Sequence, residues 1–273
     1  MSSSGDYFAP SVFLNHGGGP NPVLGEKTNL EMAESLKNIP NLVDLNRLKS
    51  IIVVTAHREE DVVTISSGER HDLMYDYNNF PPESYKLKYD APGNPTLAKE
   101  LYNAFNKAGI SAVLDSKRAW DHGVFIPMML INPSANIPIV QLSILKNQNA
   151  RQHYEIGKVL YEFRKRGVAI FGSGMSYHNM DVFKKAWTVN DETVVNDEFD
   201  EFLNDVCMAD VEDRKRILLW DEARGGLESH PLGEADHLMP LIVNIGAAGE
   251  SPAKKIFESL YRGKFRLSGF MWG

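Results

Sequence analysis

A single cysteine, Cys207, stands in 273 residues, so no intrachain disulfide staples this chain. It falls in the acidic segment EFDEFLNDVCMADVEDRKR, where packing in a helix explains it better than nucleophilic chemistry. Basic tracts are also missing. The 29 Lys and Arg are outnumbered by 36 Asp and Glu, the formal charge is −7, and no basic stripe offers itself to a phosphate backbone, which argues against a nucleic-acid partner. No apolar run approaches the roughly 20 residues that span a bilayer. The opening MSSSGDYFAP has neither the basic start nor the apolar core of a secretion signal. No repeat, low-complexity stretch or shift of composition marks a boundary inside the chain. These absences lead us to expect one domain over residues 1–273, a cytoplasmic enzyme or binding protein, as a monomer or small homo-oligomer.

What is present is a set of short, apolar, β-branched runs: Pro10–Leu14, Ser50–Thr55, Val62–Ser66, Ala112–Leu114, Ile137–Leu142, Val168–Gly172 and Phe265–Met271. Between them lie segments of helical period and composition, Asn94–Ala108, Ala150–Arg166, Thr193–Ala209 and Val211–Leu219. Gly109 and Gly167 stand just past two of these, as helix C-caps prefer. The alternation predicts an α/β fold with a central mixed, mainly parallel sheet flanked by helices. Ile51-Ile52-Val53-Val54 is apolar at every position and reads as a strand covered on both faces. The stretch from Asp72 to Pro95 holds four tyrosines and a phenylalanine without any period, so it reads as an ordered excursion over the sheet rather than a linker.

Eight histidines are distributed unevenly. His16 (SVFLNHGGG), His57 (IIVVTAHRE), His122 (AWDHG) and His178 (VAIFGSGMSYHN) sit where an apolar run gives way to a loop, and His230 and His237 lie in SHPLGEADHLMP. Strand ends of an open α/β sheet are where distant loops converge on a site, and imidazole both binds metals and titrates near neutrality. The pattern predicts a metal centre at the sheet rim with acid/base groups beside it. Each histidine also has a plain structural reading. His16 precedes Gly17-Gly18-Gly19, which resembles neither a phosphate loop nor a dinucleotide fingerprint. Asp121 is placed to orient His122, although sequence neighbours often point apart. Ser173 is not in a Gly-x-Ser-x-Gly elbow, because Met175 occupies the last position, which demotes a serine hydrolase. Pro231 and Gly233 exclude one continuous helix through His230 and His237. Arg58 and Glu59 read either as supports of His57 or as a solvated pair. His71 and His153 stand in polar contexts, are expected to be exposed, and receive no role.

Taken in order, the segments FLNHGGGPN, VVTAHRE, YDYNNFPPESYKLKYDAPGNPTLA, RAWDHGVFIPMML, PIVQLSI, VAIFGSGMSYHNM and HPLGEADHLMPLIVNIGAAG resemble the class III extradiol ring-cleavage dioxygenases of the LigB superfamily, in the DOPA 4,5-dioxygenase-like branch. The resemblance implies His16, His57 and His237 as metal ligands, His178 as catalytic base and possible fourth ligand, and His122 as a second acid/base group. It places His230 in the pocket, and aromatic residues of the excursion, Tyr77 foremost with Tyr75 and Phe80, become candidates to stack on a substrate ring. The implied cofactor is one divalent metal: Fe(II) for activity, with Zn(II) equally suited to a neutral three-histidine set. The implied partners are a small catechol and O₂. The spacing from His230 to His237 is two residues longer than the usual form of that motif, which brings in Glu234 and Asp236 as competing ligands. A zinc-binding protein or zinc hydrolase on the same scaffold is the alternative reading.

Overall fold

Eight strands form one sheet among the described residues: β1 (Ser11–Asn15), β2 (Ser50–Glu60), β3 (Val63–Ser66), β4 (Ala112–Asp115), β5 (Ile139–Leu145), β6 (Val168–Gly174), β7 (Ala253–Tyr261) and β8 (Phe265–Trp272). This architecture comes from a computed structural model that describes residues 7–186 and 195–273. The order across the sheet is β4-β3-β5-β2-β6-β1-β8-β7. Strands β5, β2, β6 and β1 run parallel, as do β3 and β4, while β3 meets β5 and β8 meets both β1 and β7 in antiparallel fashion. The sheet is thus mixed and mainly parallel at its centre.

Side chains of a strand alternate between faces, and here both faces are covered. Phe13, Ile52, Val54 and Ile170 join the helices Pro95–Lys107, Ala150–Arg164, Asp197–Met208 and Met239–Ala248 in one core. Val12, Leu14, Ile51, Val53 and Phe171 face the helices Leu30–Leu42 and His122–Ile131 and the excursion residues Tyr77 and Tyr89. Trp120, just ahead of the second of these helices, is fully buried in that core. The excursion is tied down at both ends, Leu73 bridging to Trp120 and Gly93 to Ile139.

Several elements differ from the sequence reading. The helix Leu30–Leu42 carries Pro40 and the helix His122–Ile131 carries Pro127, and these prolines masked helical segments whose burial outweighs propensity. Strand β7 escaped notice because Lys254, Lys255 and Glu258 interrupt its apolar pattern, as suits an edge strand. The expected helix Val211–Leu219 is a 3₁₀ turn over Asp213–Leu219, and the first two residues of the expected helix Thr193–Ala209 lie outside the described residues. Cys207 is buried in the helix Asp197–Met208. No helix among the described residues is long and apolar enough to cross a membrane.

Two buried polar side chains hold the layers together. Arg164 is fully buried, has no carboxylate partner among the described residues, and donates to the carbonyls of Ala9, Ala247, Ala248 and Trp272 and to Ser251 Oγ. Ala247 and Ala248 end a helix whose terminal carbonyls carry partial negative charge, which supports the cation. The second corrects an expectation: His153 is fully buried, not exposed. Its Nδ1–H donates to Asn149 O at 2.8 Å and its Nε2 accepts from Leu145 N at 2.9 Å, so the neutral ring pins the end of β5 to the first turn of the next helix. Its polar neighbours in sequence concealed this. His71 is half-buried and stacks on Trp120 with ring centroids 5.2 Å apart.

Burial lowers the pKa of His153 from an ordinary 6.5 to about 4. The folded form therefore prefers the neutral ring, and stability is complete above pH 6.5 and is lost as pH falls toward 4, where the unfolded chain binds the extra proton first. The shift corresponds to about 3 kcal/mol. Urea denaturation at pH 7 and pH 4.5 will show a smaller drop in unfolding free energy in His153→Gln than in the unsubstituted protein, the difference being of this order.

Candidate metal centre

Neighbouring parallel strands end on the same rim of a sheet. Asn15 at the end of β1 pairs with Gly174 at the end of β6, and Thr55 of β2 pairs with Ser173. His16 follows β1 directly, and His178 lies four residues beyond β6. His57 stands inside β2 at an irregularity: pairing with β5 jumps from Thr55–Ser143 to Glu59–Ile144, leaving residues 56–58 bulged. Bulges re-aim side chains, and this one turns His57 toward the other rings. His237 arrives from the opposite direction, on the loop that enters the helix Met239–Ala248, and is tied to β6 by a hydrogen bond from Met175 N to His237 O of 3.1 Å. Gly174 makes that approach possible, because a Cβ there would lie 2.2 Å from His237 O. Gly123 does the same for His57, since a Cβ would stand 2.6 Å from Thr55 Oγ1 and 3.2 Å from His57 Nδ1.

The rings of His16, His57 and His237 lie with centroids 4.6 to 5.1 Å apart, and His57 Nε2 is 3.1 Å from His237 Nε2. Their outer nitrogens are all directed at protein acceptors. Ser173 Oγ gives its one proton to Gly123 O, so at 3.0 Å it accepts from His16 Nδ1–H. His237 Nδ1 is 2.6 Å from Asp236 Oδ2 and His122 Nδ1 is 2.8 Å from Asp76 Oδ1. His57 Nδ1 faces Asp76 and Asp121 at 3.6 and 3.7 Å. With the proton on Nδ1 in each case, the four rings present Nε2 lone pairs to a common space. Nitrogens bound to one ion at about 2.1 Å and roughly at right angles stand about 3 Å apart, so the separation of His57 and His237 fits two ligands of one metal. His16, His57 and His122 form one group with metal-ligand spacing, His178, Asp236 and His237 a second, and His57, Asp76 and Asp121 a third.

Electrostatics favour the neutral ring at His16 and His237. Burial, followed by the neighbouring imidazoles, holds His16 and His237 well below their ordinary pKa. Burial opposes charge on His57 too, but Asp121, Asp76 and Asp236 outweigh it and raise the value. His178 stacks on His237 with centroids 3.5 Å apart and an angle of 15°, and burial takes it down to about 4. Beneath His57 a chain of polar groups is fixed in orientation. Asp121 accepts from Thr55 Oγ1 at 2.7 Å and from the Gln141 amide, while Arg58, fully buried, binds Asp115 at 2.6 Å and faces Gln141 Oε1 at 3.5 Å. Arg58 is therefore buried rather than solvated, with its hydrogen bonds going to Asp115 and Gln141.

The rings open into a cavity of about 310 Å³ lined by His16, His57, His122, His178 and His237 with Tyr77, Phe80, Met175, Met180, Phe183, Tyr261 and Arg262. Larger grooves elsewhere on the surface contain no histidine cluster. His230 is absent from this wall. It is fully buried behind it, with Nε2 donating to Ser176 O at 3.0 Å and its ring against Phe199, because the loop after Ser229 turns inward there. Tyr75 is also outside the wall, its hydroxyl engaged by Leu87 O. Tyr77 reaches the wall at its ring while its hydroxyl donates to Ser84 O. Asp236 supports His237, and Glu234 does not join any group with metal-ligand spacing. Asp121 serves His57, whereas the carboxylate of His122 is Asp76, from the excursion. Nothing in the spacing pointed to Asp76, and only an acidic residue amid the tyrosines hinted at it. Ser173 is buried and engaged, unlike a hydrolase nucleophile.

Residues 9–266 match the family described as the catalytic LigB subunit of aromatic ring-opening dioxygenase. The chain belongs to this LigB family. It is 38% identical over 280 residues to dioxygenase tasH of Hapsidospora irregularis, covering 97% of this chain and 86% of that protein. It is 32% identical to the 4,5-DOPA dioxygenase extradiol of Mirabilis jalapa, over 91% of this chain and 90% of that one, and 31% identical to that of Escherichia coli, over 94% and 92%. A solved structure of an uncharacterized protein from Escherichia coli K12 shares the fold, with a TM-score of 0.77, 27% identity, and coverage of 97% of this chain and all of that chain. As a LigB-family chain the molecule is an extradiol aromatic ring-opening dioxygenase.

A methyl group at Gly174 has nowhere to go but into His237 O, so Gly174→Ala will displace the His237 loop. Divalent-metal affinity should fall about 10- to 100-fold, the usual cost of disturbing the groups behind a metal ligand. Isothermal titration with Zn(II), alongside circular dichroism to verify the fold, reads this out. Unchanged affinity in a folded variant would remove Gly174 from the account.

Proposed function

We propose that this chain opens the ring of a catechol beside its two hydroxyls, with O₂, at one divalent metal held by His16, His57 and His237. The observation that carries the reading is the convergence of Nε2 lone pairs, three of them on neutral or metal-ready imidazoles, at the inner end of an aromatic-lined cavity. A bound Fe(II) would supply a coordination sphere with open positions in which the diol and O₂ meet, whereas Zn(II) would fit the same donors without redox chemistry. Balance requires both oxygen atoms in the product. One carbon of the broken bond ends as a carboxylate and its neighbour as an aldehyde, giving a muconic semialdehyde-type compound.

The protein residues divide the remaining work. His178 lines the cavity as a neutral imidazole, since its pKa is driven to about 4 by burial, and so holds a lone pair for a phenolic proton at neutral pH. It is also the candidate for a fourth ligand, in view of its stacking on His237. His122 keeps Nδ1–H on Asp76 and turns Nε2 to the cavity, where it can hold or return a proton at a substrate oxygen. Phe80 and Tyr77 on one side and Phe183 with Met175 and Met180 on the other exclude water and offer flat contacts to a ring. The cytoplasm as the setting, a single domain over 1–273 and a monomeric or small homo-oligomeric state remain part of this proposal.

Protein reconstituted anaerobically with one equivalent of Fe(II) and then given air and a panel of catechols including DOPA should consume O₂ and form a yellow ring-opened product. An iron form that consumes no oxygen with any catechol, while the zinc form hydrolyses esters, would replace this reading with a zinc hydrolase. His178→Ala is expected to lose turnover at least 100-fold with metal retained, and His16→Ala to lose the metal as well. Stoichiometric metal in a His16→Ala, His57→Ala double variant would refute the ligand set.

A further inference from the structure

The strand that carries His57 loses its neighbours just before that residue. Pairing of β2 with β6 runs from Ser50 to Thr55, and pairing with β5 lapses between Thr55 and Glu59. His57 has no strand partner in register, so its peptide groups must be held by other means. Thr55 Oγ1 accepts from His57 N at 3.3 Å, and Arg118 Nη2 donates to His57 O at 3.2 Å. Arg118 belongs to the loop that follows the edge strand β4. Asp115 closes that loop, its Oδ1 accepting from Lys117 N at 2.9 Å and from Arg118 N at 3.2 Å. Its other oxygen accepts from Arg58 Nη2 at 2.6 Å. Arg58 is the neighbour of His57 in the bulge, and its guanidinium leads through Gln141 to Asp121, which faces His57 Nδ1 at 3.7 Å.

One carboxylate therefore stands at the junction of two arms that both end on His57, one at its carbonyl and one at the outer side of its ring. Asp115 itself is outside the cavity wall. Although burial opposes it, hydrogen bonds from Lys117 N and Arg118 N and the charge of Arg58 hold the Asp115 carboxyl below its ordinary pKa. The further acidic group near Arg58 is Glu60, 3.8 Å from Nε. A buried ion pair is a poor source of stability, because desolvating the guanidinium offsets most of the attraction. What this pair contributes is direction. A planar guanidinium fixed by one carboxylate has few orientations left, and here the orientation passes to Gln141 and then to Asp121. An apolar side chain of the same size would fill the space without aiming anything.

We propose that Asp115 is a positioning residue for the metal centre, setting the aim of His57 from outside the cavity through Arg118 on its carbonyl and through Arg58, Gln141 and Asp121 on its ring. This rests on His57 being a metal ligand. Asp115→Asn keeps an oxygen for the two backbone N–H groups and removes the charge that holds Arg58. Zn(II) affinity, read by isothermal titration, should fall about 10- to 100-fold. The visible absorption of the Co(II)-loaded protein should change shape, because a displaced imidazole alters the ligand field. Arg118→Met should also weaken Zn(II) binding, by cutting the arm to the carbonyl. Adding Arg58→Met to Asp115→Asn separates aim from stability: with the stranded charge gone the thermal midpoint should recover, while the metal affinity stays low. Affinity that recovers along with stability in that double variant, or that is unchanged in a folded Asp115→Asn, would overturn the proposal. Should Asp115→Asn alone not fold, the double variant and Arg118→Met carry the test, and unchanged affinity in both would overturn it. His57→Ala is titrated alongside. If it binds Zn(II) as tightly as the unsubstituted protein, the ligand reading falls and takes the proposal with it. If it loses the metal while the Asp115 and Arg118 variants do not, only the positioning role falls.

Discussion

Lone pairs repel, and a fold that drives several of them into one small space needs something positive between them. His57 Nε2 and His237 Nε2 approach to 3.1 Å, with the His237 proton committed to Asp236, and His16 joins them from β1 with its own proton on Ser173. Protonation of one ring could relieve the repulsion, but burial lowers the proton affinity of His16 and His237 and opposes that route. A divalent cation resolves the conflict, and the rest of the molecule can be understood as the apparatus that sustains it.

The apparatus has a rigid half and an adaptable half. Parallel pairing of β2, β6 and β1 brings three strands into register, so His16 is placed by the ladder through its N–H to Gly174 O and His57 by the bulge that follows Thr55. His237 and the carboxylate of Asp76 come from loops, and each loop is secured by close contacts: the His237 carbonyl against Gly174, and Asp76 by the backbone and ring of His122. Behind His57 the acceptor Asp121 is held by Thr55 and Gln141, with Arg58 and Asp115 beyond. The rings of His16, His122 and His237 thus each have a hydrogen-bonded outward partner, and His57 faces two carboxylates, the arrangement that raises ligand basicity at metal sites.

Much of this was legible in the sequence because strand ends are marked by composition. The β-branched runs before His16, His57 and His178 announced both the sheet and its rim, and the covered strand Ile51–Val54 behaved as its uniform hydrophobicity implied. What stayed hidden depends on packing between distant segments. Asp76 lies in an aperiodic loop, so its pairing with His122 had no local signature, while adjacent Asp121 pointed elsewhere. His230 shares a motif with His237 yet turns behind the wall, because direction out of a loop is set by tertiary contacts. His153 was concealed by polar neighbours on the solvent face of its own helix, and β7 by its lysines. Arg262 gave no signal at all until the hairpin placed it at the cavity.

The central claim is that imidazoles of His16, His57 and His237 share one divalent ion. X-ray absorption at the iron edge, on protein loaded anaerobically with one equivalent of Fe(II), addresses it directly. The account predicts nitrogen and oxygen neighbours near 2.1 Å with outer-shell scattering from at least three imidazoles, reduced by one in His237→Ala. A spectrum without imidazole scattering, or one left unchanged by that substitution, would contradict it.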